Sequence, residues 1–283
     1  MTDQAVFERA PAKINLTLDV LGLRPDGYHE LRSVMQTVSL YDELTVRADA
    51  PDWRLACASA SVPRGEDNLI LRAAREYVKR AGIETSGIEF ALVKRIPMQA
   101  GLGGGSADAA ACLRALDRIY GALPQDELLD VAASVGSDVP FCLLGGTKLC
   151  TGRGEKMTPL RRLAPCYFVL CKPVFSASTP ALFRALDENP DVTASGAADV
   201  ERAICAGSLP RGGHTNRFEP LLVREHPVLA RALDAMTQNG ARLASLTGTG
   251  SACFGLFDRR EGADACFVAL AQLGMQVFLA QPV

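Results

Sequence analysis

Apolar positions along the chain recur first with a period of two and then with a period of three to four, and each change of period marks an element. Residues 5–21 and 34–48 carry alternating or apolar β-prone runs, among them Ile14, Leu16, Leu18, Val20, Leu44 and Val46, and predict strands. Between them, Arg24-Pro25-Asp26-Gly27-Tyr28-His29 has turn chemistry at its Pro-Asp-Gly core, which ends the first run and is expected to display Tyr28 and His29. Asp67-Asn68 ahead of Leu69-Ile70-Leu71 predicts a capped helix running to about Arg80 and stopped by Gly82, with a strand over 88–93. Farther on, Ala109, Leu113, Leu116 and Tyr120 recur at helical spacing, so the run Gly101-Leu102-Gly103-Gly104-Gly105-Ser106 opens a helix that Gly121 and Pro124 end. A helix over 126–135 leads into Gly136-Ser137-Asp138-Val139-Pro140-Phe141, and Gly145-Gly146 turns into another strand.

The second half predicts a strand over 167–170, a loop over 175–180 and a polar stretch over 189–213. A helix follows over 227–239, then a turn feeding a strand within 246–257, a helix over 263–273 and a last strand over 276–280. This order is α+β. The polar stretch near 161–165 suggests a lobe boundary, dividing the chain into 1–160 and 161–283.

Composition narrows the function. The 283 residues are 48% hydrophobic and 22% charged, enough for one large core or two modest ones. A formal net charge of −2 supplies no broad field for a polyanion, so neither nucleic acid nor an anionic membrane is an expected partner, and any phosphate must be held locally. No apolar run approaches the roughly 18 residues of a membrane span. Met1-Thr2-Asp3-Gln4 lacks the basic start and apolar run of a secretory signal, so the nine cysteines are expected as thiols in the cytoplasm. Without a Cys-x-x-Cys pair, and with three histidines, they do not predict a zinc site; Cys112 and Cys142 sit in apolar segments and are expected to be buried.

The glycine-rich run carries the chemistry. A helix start has unpaired N–H groups and partial positive charge, and glycines let the backbone approach an anion. No Lys-Ser or Lys-Thr follows, so the run is not a Walker loop, and Ser106 fills the third position of a Rossmann fingerprint, which disfavours a nicotinamide dehydrogenase. Phosphoryl transfer to an alcohol also needs positive charge and often a carboxylate within reach of the hydroxyl proton, for which Lys13 and Asp138 are candidates. In Pro11-Ala12-Lys13-Ile14-Asn15-Leu16, strand parity puts Ala12, Ile14 and Leu16 on one face and Lys13 with Asn15 on the other. By residue type alone, an outward strand lysine is ordinarily solvated surface and Asp138 is equally a turn or cap residue.

With these pieces in order, the chain resembles the GHMP superfamily of galactose, homoserine, mevalonate and phosphomevalonate kinases. The resemblance spans nearly the whole chain through 11–16, 24–29, 97–106, 136–141 and 246–255, and Asp26-Gly27-Tyr28-His29 points within it to a member whose alcohol carries a diphosphocytidyl group. It implies a two-lobe α+β fold with an N-terminal ATP-binding lobe, a C-terminal ferredoxin-like α/β lobe and an active site in the cleft between them. It also implies ATP as phosphoryl donor, magnesium with it, and a small-molecule alcohol as acceptor; a homoserine or mevalonate-like alcohol is the alternative, and a module that binds ATP without catalysis is a rival that the Lys13 and Asp138 pair argues against. Oligomeric state stays open.

By the same resemblance, Lys13 and Asp138 are catalytic, and Asn15, Tyr28, His29, Gly248, Thr249, Gly250 and Ser251 bind the alcohol. ATP falls to Asn68, Lys94, Pro97, Met98, Gln99, Ala100, Gly101, Leu102, Gly103, Gly104, Gly105, Ser106 and Phe175, with Ser106 the metal's partner. The bland alternatives are a surface histidine for His29, a helix cap for Asn68 and core filling for Phe175. The chain departs from the family at Gln99, usually glycine or another small residue, and at Arg217, often aspartate.

Overall fold

A computed structural model describes residues 5–175, 177–192 and 196–283. Residues 1–4, Ser176 of the 175–180 loop and 193–195 of the polar stretch lie outside the described residues.

In chain order the elements begin with β1 (Ala5–Asn15), β2 (Asp19–Leu23), β3 (His29–Arg47), β4 (Arg54–Cys57), α1 (Leu69–Ala81), β5 (Glu89–Val93) and α2 (Gly104–Tyr120). They continue through α3 (Gln125–Val135), α4 (Val139–Leu144), β6 (Thr147–Gly152), β7 (Lys156–Pro159), β8 (Tyr167–Lys172), α5 (Thr179–Glu188), α6 (Ala197–Cys205) and β9 (Gly212–Gly213). The chain closes with α7 (Glu219–Glu225), α8 (Pro227–Gln238), β10 (Leu243–Leu246), β11 (Cys253–Phe257), α9 (Arg260–Gln272) and β12 (Gln276–Ala280). The mixed α and β content agrees with the expected fold class.

The contacts group into two compact units. One holds residues 5–12, Tyr41–Met98 and Gly103–Gly145; the other holds Lys13–Leu40, Gln99–Leu102 and Gly146–Val283. In the first unit, the end of β3 pairs antiparallel with β5, which pairs parallel with β4. Helices α1 and α2 pack together, with α3 and α4 alongside. The buried face of α2 is built largely from Ala107, Ala109, Ala110, Ala111 and Ala115, whose small side chains let neighbouring backbones approach. Both α1 and α2 end where expected, on Gly82 and Gly121 in the left-handed conformation.

In the second unit, the start of β3 pairs with β2 and β6, and β6 with β7. A separate sheet has the order β12-β8-β11-β10-β9, antiparallel except where β9 joins β10. Strand β8, the hairpin β10–β11, helix α9 and strand β12, with helices between β8 and β10, give the β-α-β-β-α-β order of a ferredoxin-like layer. Val169, Leu246, Phe257, Phe218, Leu222, Leu229, Ala263 and Leu270 form its core.

Several expectations needed correction. Residues 5–21 form two strands rather than one run, because at Leu18 the backbone turns to donate to Thr215 O at 2.7 Å. The polar stretch over 189–213 contains α6, which buries Val200 and Ile204, and the loop over 175–180 already enters α5 at Thr179. The turn feeding a strand within 246–257 is present as expected: Leu246 ends β10, and β11 follows as the second strand of a hairpin. Cys112 and Cys142 are buried as expected, and burial pushes the Cys112 thiol well above its ordinary range.

Candidate active site

Strand β1 delivers Lys13 and Asn15 at its end, and both faces of the strand are covered there: Lys13 is 4% exposed and Asn15 equally buried. The outward face is therefore not solvated surface. A buried ammonium and a buried amide need partners. Lys13 Nζ donates to Asn15 Oδ1 at 2.7 Å, and Asn15 Nδ2 donates to Ser33 Oγ at 2.8 Å. The Lys13 amide donates to Leu102 O at 3.0 Å, which fixes the strand against the glycine-rich run.

That run is shaped by left-handed residues. Gly101 and Gly103 have φ of 77° and 68°, and a Cβ on Gly101 would stand 2.2 Å from Thr247 O. No side chain fits there, so glycine is required by space as well as by conformation. Gln99 also has a left-handed φ of 52°, a conformation that glycine adopts without strain and glutamine does not. Pro97 and Met98 are half-buried, Ala100 is buried, and the Ala252 amide donates to Ala100 O at 3.0 Å. Within the second unit the structure thus brings Lys13, Asn15, Gly101, Leu102 and Gly248 together; a Cβ on Gly248 would lie 3.1 Å from Gly101.

In the first unit, Gly103 caps α2 without a side-chain hydrogen bond, no acidic residue occupies the first turn, Gly105 is exposed and Ser106 is half-buried. Gly105 lies beside Leu69, the first residue of α1. Asn68 caps α1, accepting from the Ile70 amide at 2.8 Å and donating to Pro63 O at 2.7 Å. Lys94 stands directly under the run, since a Cβ on Gly104 would meet Nζ at 2.9 Å. Its ammonium bridges Asp42 and Asp108, the latter at 2.7 Å. Asp42 Oδ1 also accepts from the Ile96 amide at 2.8 Å and from the Arg95 amide. Burial opposes the Lys94 charge, but Asp108 and Asp42 outweigh it and hold the ammonium above its ordinary pKa. Among the described residues Asp108 Oδ1 has no hydrogen-bond partner, and burial, opposed by Lys94 and reinforced by Asp42, pushes this carboxyl up to about 7. Asp138 precedes α4 and makes no capping hydrogen bond to that helix, although its carbonyl accepts from the Cys142 amide at 3.0 Å.

The remaining candidates lie in the second unit. Tyr28 is 56% exposed beneath the Arg153 guanidinium, as a displayed turn residue should be. His29 is not displayed: its ring stacks on Phe183 at 4.7 Å and Nε2 lies 2.8 Å from Asp187 Oδ1. Phe175 stacks on His226 at 3.9 Å, and its carbonyl accepts from Ser251 Oγ at 2.7 Å. Thr249 Oγ1 meets Thr179 Oγ1 at 2.7 Å, and Gly250 backs onto Leu222 and Leu246. Arg217, the other departure, donates to the carbonyls of Val192, Pro190 and Val20, so here the position ties a loop to β2.

Sequence reasoning did not find Asp42, Asp108, Phe183, Asp187 or Thr247. Two had a signal: strand parity places Asp42 on the inward face with Leu40 and Leu44, and Asp108 is a lone acid followed by three alanines. Phe183 and Asp187 had none, because α5 is a short helix whose partners come from distant segments of the chain.

Two family models match the chain, the GHMP kinases N terminal domain over residues 68–146 and the GHMP kinases C terminal over 192–274. A 4-diphosphocytidyl-2-C-methyl-D-erythritol kinase of Pelotomaculum thermopropionicum is 43% identical over 259 residues, covering 90% of each chain. One of Clostridium kluyveri is 35% identical over 278 residues, covering 97% of this chain and 99% of that protein. A crystal structure of 4-(cytidine 5'-diphospho)-2C-methyl-D-erythritol kinase superposes with a TM-score of 0.82 at 34% identity, covering 98% of this chain and 99% of the other. A homoserine kinase from Cytophaga hutchinsonii, at 20% identity and a TM-score of 0.75, shares the fold. The chain belongs to the GHMP kinase family.

Proposed function

We propose that this ATP-dependent small-molecule kinase transfers the γ-phosphoryl of ATP to the 2-hydroxyl of 4-diphosphocytidyl-2-C-methyl-D-erythritol, a step of the non-mevalonate route to isoprenoid precursors. The observation that carries the reading is the match, over at least nine-tenths of both chains, to kinases of that name. The reaction is direct: the hydroxyl oxygen bonds to the γ-phosphorus as the bond to the bridging oxygen of ADP breaks, and the hydroxyl proton leaves to a carboxylate.

Asp138 is the carboxylate that accepts or orients that proton, while Lys13 stabilises charge at the reacting oxygen. Asn15 positions the same hydroxyl, supported by its fixed amide. Tyr28 and His29 recognise the cytosine, one by stacking and one by hydrogen bonding. The run from Pro97 to Ser106 receives the phosphates, with Asn68, Lys94 and Phe175 at the adenine. Gly248, Thr249, Gly250 and Ser251 line the far side of the alcohol. In this reading residues 1–160 and 161–283 act as the N- and C-terminal kinase domains.

Magnesium fits a site where phosphates and water supply most ligands, and Ser106, half-buried in the first turn of α2, offers a hydroxyl oxygen. Bound there, it supplies charge neutralisation at the phosphates. Among the described residues no helix is long and apolar enough to cross a membrane. The cytoplasm, where thiols stay reduced and ATP is abundant, is the proposed location.

The test offers the purified protein ATP with the diphosphocytidyl alcohol, homoserine or mevalonate. ADP release that depends on the diphosphocytidyl alcohol is expected. Phosphorylation of homoserine or mevalonate with the diphosphocytidyl compound ignored would overturn the assignment.

A further inference from the structure

The segment from His214 to Glu219 has no part in the proposed chemistry, yet Thr215, Asn216 and Glu219 are each buried to within 1% of full burial. An amide or carboxylate placed among Phe218, Leu221 and Leu222 is costly unless its hydrogen bonds are made, so the partners reveal what the burial secures. Glu219 Oε2 accepts from the Leu246 amide at 2.8 Å and from Ser245 Oγ at 2.7 Å, while Oε1 meets His214 Nδ1 at 2.5 Å. Asn216 Nδ2 donates to Leu246 O at 3.1 Å and to Gly248 O at 2.8 Å, and its Oδ1 accepts from the Phe218 amide at 2.9 Å.

Thr247 sits between these anchored groups. Its Oγ1 accepts from the Asn15 amide at 2.9 Å and lies 3.4 Å from Gly101 O. One hydroxyl therefore joins the strand that carries Lys13 and Asn15, the glycine-rich run and the turn that begins at Gly248. Threonine hydroxyls rotate freely in solution; here the Asn15 amide and Gly101 O orient the hydroxyl, and buried side chains grip the backbone on both sides of Thr247.

We infer that Asn216 and Glu219 are positioning residues for phosphoryl transfer, acting through the Leu246–Gly248 backbone and the Thr247 hydroxyl to set Asn15 against the glycine-rich run. The inference rests on the kinase reading for its kinetic readout alone. Neither residue touches a reacting atom. Asn216→Asp is the sharpest probe, because it is equal in size but turns an acceptor toward two carbonyl oxygens; Asn216→Ser removes both amide donors and leaves a shorter hydroxyl that reaches neither carbonyl, without adding charge, and serves if the first variant does not fold. Glu219→Gln keeps the shape and loses one acceptor.

The experiment measures kcat and KM for the diphosphocytidyl alcohol and for ATP, with and without Thr247→Val, together with hydrogen exchange at the Asn15 amide in the substrate-free protein. Asn216→Ser and Glu219→Gln are expected to lower kcat for the alcohol by at least ~10-fold with the KM for ATP little changed. Combined with Thr247→Val, the losses should fall well short of the product of the single effects, since both act on one link. The Asn15 amide should exchange faster in Asn216→Ser than in the wild type. Additive losses, or equal losses for both substrates, would overturn the inference. Unchanged exchange at Asn15 would overturn it whatever alcohol the enzyme uses, whereas an inactive wild type with faster exchange in the variant would count against the substrate assignment and for the positioning role.

Discussion

His29 Nε2 lies 2.8 Å from Asp187 Oδ1, a carboxylate 158 residues away on α5, and the same ring stacks on Phe183. The contact fixes the imidazole in one orientation and commits one ring nitrogen, so a hydrogen bond to a base falls to Nδ1. His29→Ala is expected to raise KM for the diphosphocytidyl alcohol by ~10-fold or more with ATP dependence unchanged. Asp187→Asn should shift it in the same direction by less. Steady-state kinetics with each substrate varied in turn checks both, and equal loss for the two substrates would indicate structural damage instead.

Asp138 stands at the start of α4 without a side-chain capping hydrogen bond to that helix, and its proposed role is at the hydroxyl proton of the acceptor. Asp138→Ala is expected to lower turnover by ~10²-fold or more while ATP binding, followed by calorimetry, stays within about two-fold. Unchanged turnover would remove this residue from the mechanism.

Lys94 shares its charge between Asp42 and Asp108 in a part of the first unit that excludes water from all three side chains. Lys94→Met leaves two buried carboxylates facing each other and should destabilise the protein by about 3–5 kcal/mol. Urea unfolding without ATP isolates this from any loss of nucleotide contacts. A change under 1 kcal/mol would mean that the ion cluster does little to hold the lead into α2.

Gln99 and Gly101 share a left-handed backbone but differ in how much substitution should cost. Gln99→Gly relieves about 1 kcal/mol of backbone strain and costs about as much in chain entropy, so its net effect is expected within about 1 kcal/mol. Gly101→Ala adds a methyl that would overlap Thr247 O and should destabilise by more than ~2 kcal/mol. Thermal melting of the two variants side by side gives the comparison.

Much of this was legible along the chain. Helix α1 follows from Asn68, its apolar spacing and Gly82; helix α2 follows from its alanines and Gly121, and the glycine-rich entrance follows from the same local chemistry. Short elements were not legible. Strand β4 and helices α4 to α7 have too few residues for a period to rise above composition, and tertiary packing fixes them.

The sequence by itself determined which backbone conformations were available: where glycine permits a left-handed residue, where parity sets Lys13 beside Asn15, where a turn interrupts a strand. These are properties of neighbouring residues, and a few kcal/mol of local preference decides them. Only the tertiary structure decided that Lys13 and Asn15 are buried, that Lys94 is held by Asp42 and Asp108, and that Asn216 and Glu219 brace a turn some 30 residues later. The reason is that a polar side chain withdrawn from water must find its partner wherever the fold brings one, and no periodicity along the chain encodes that meeting.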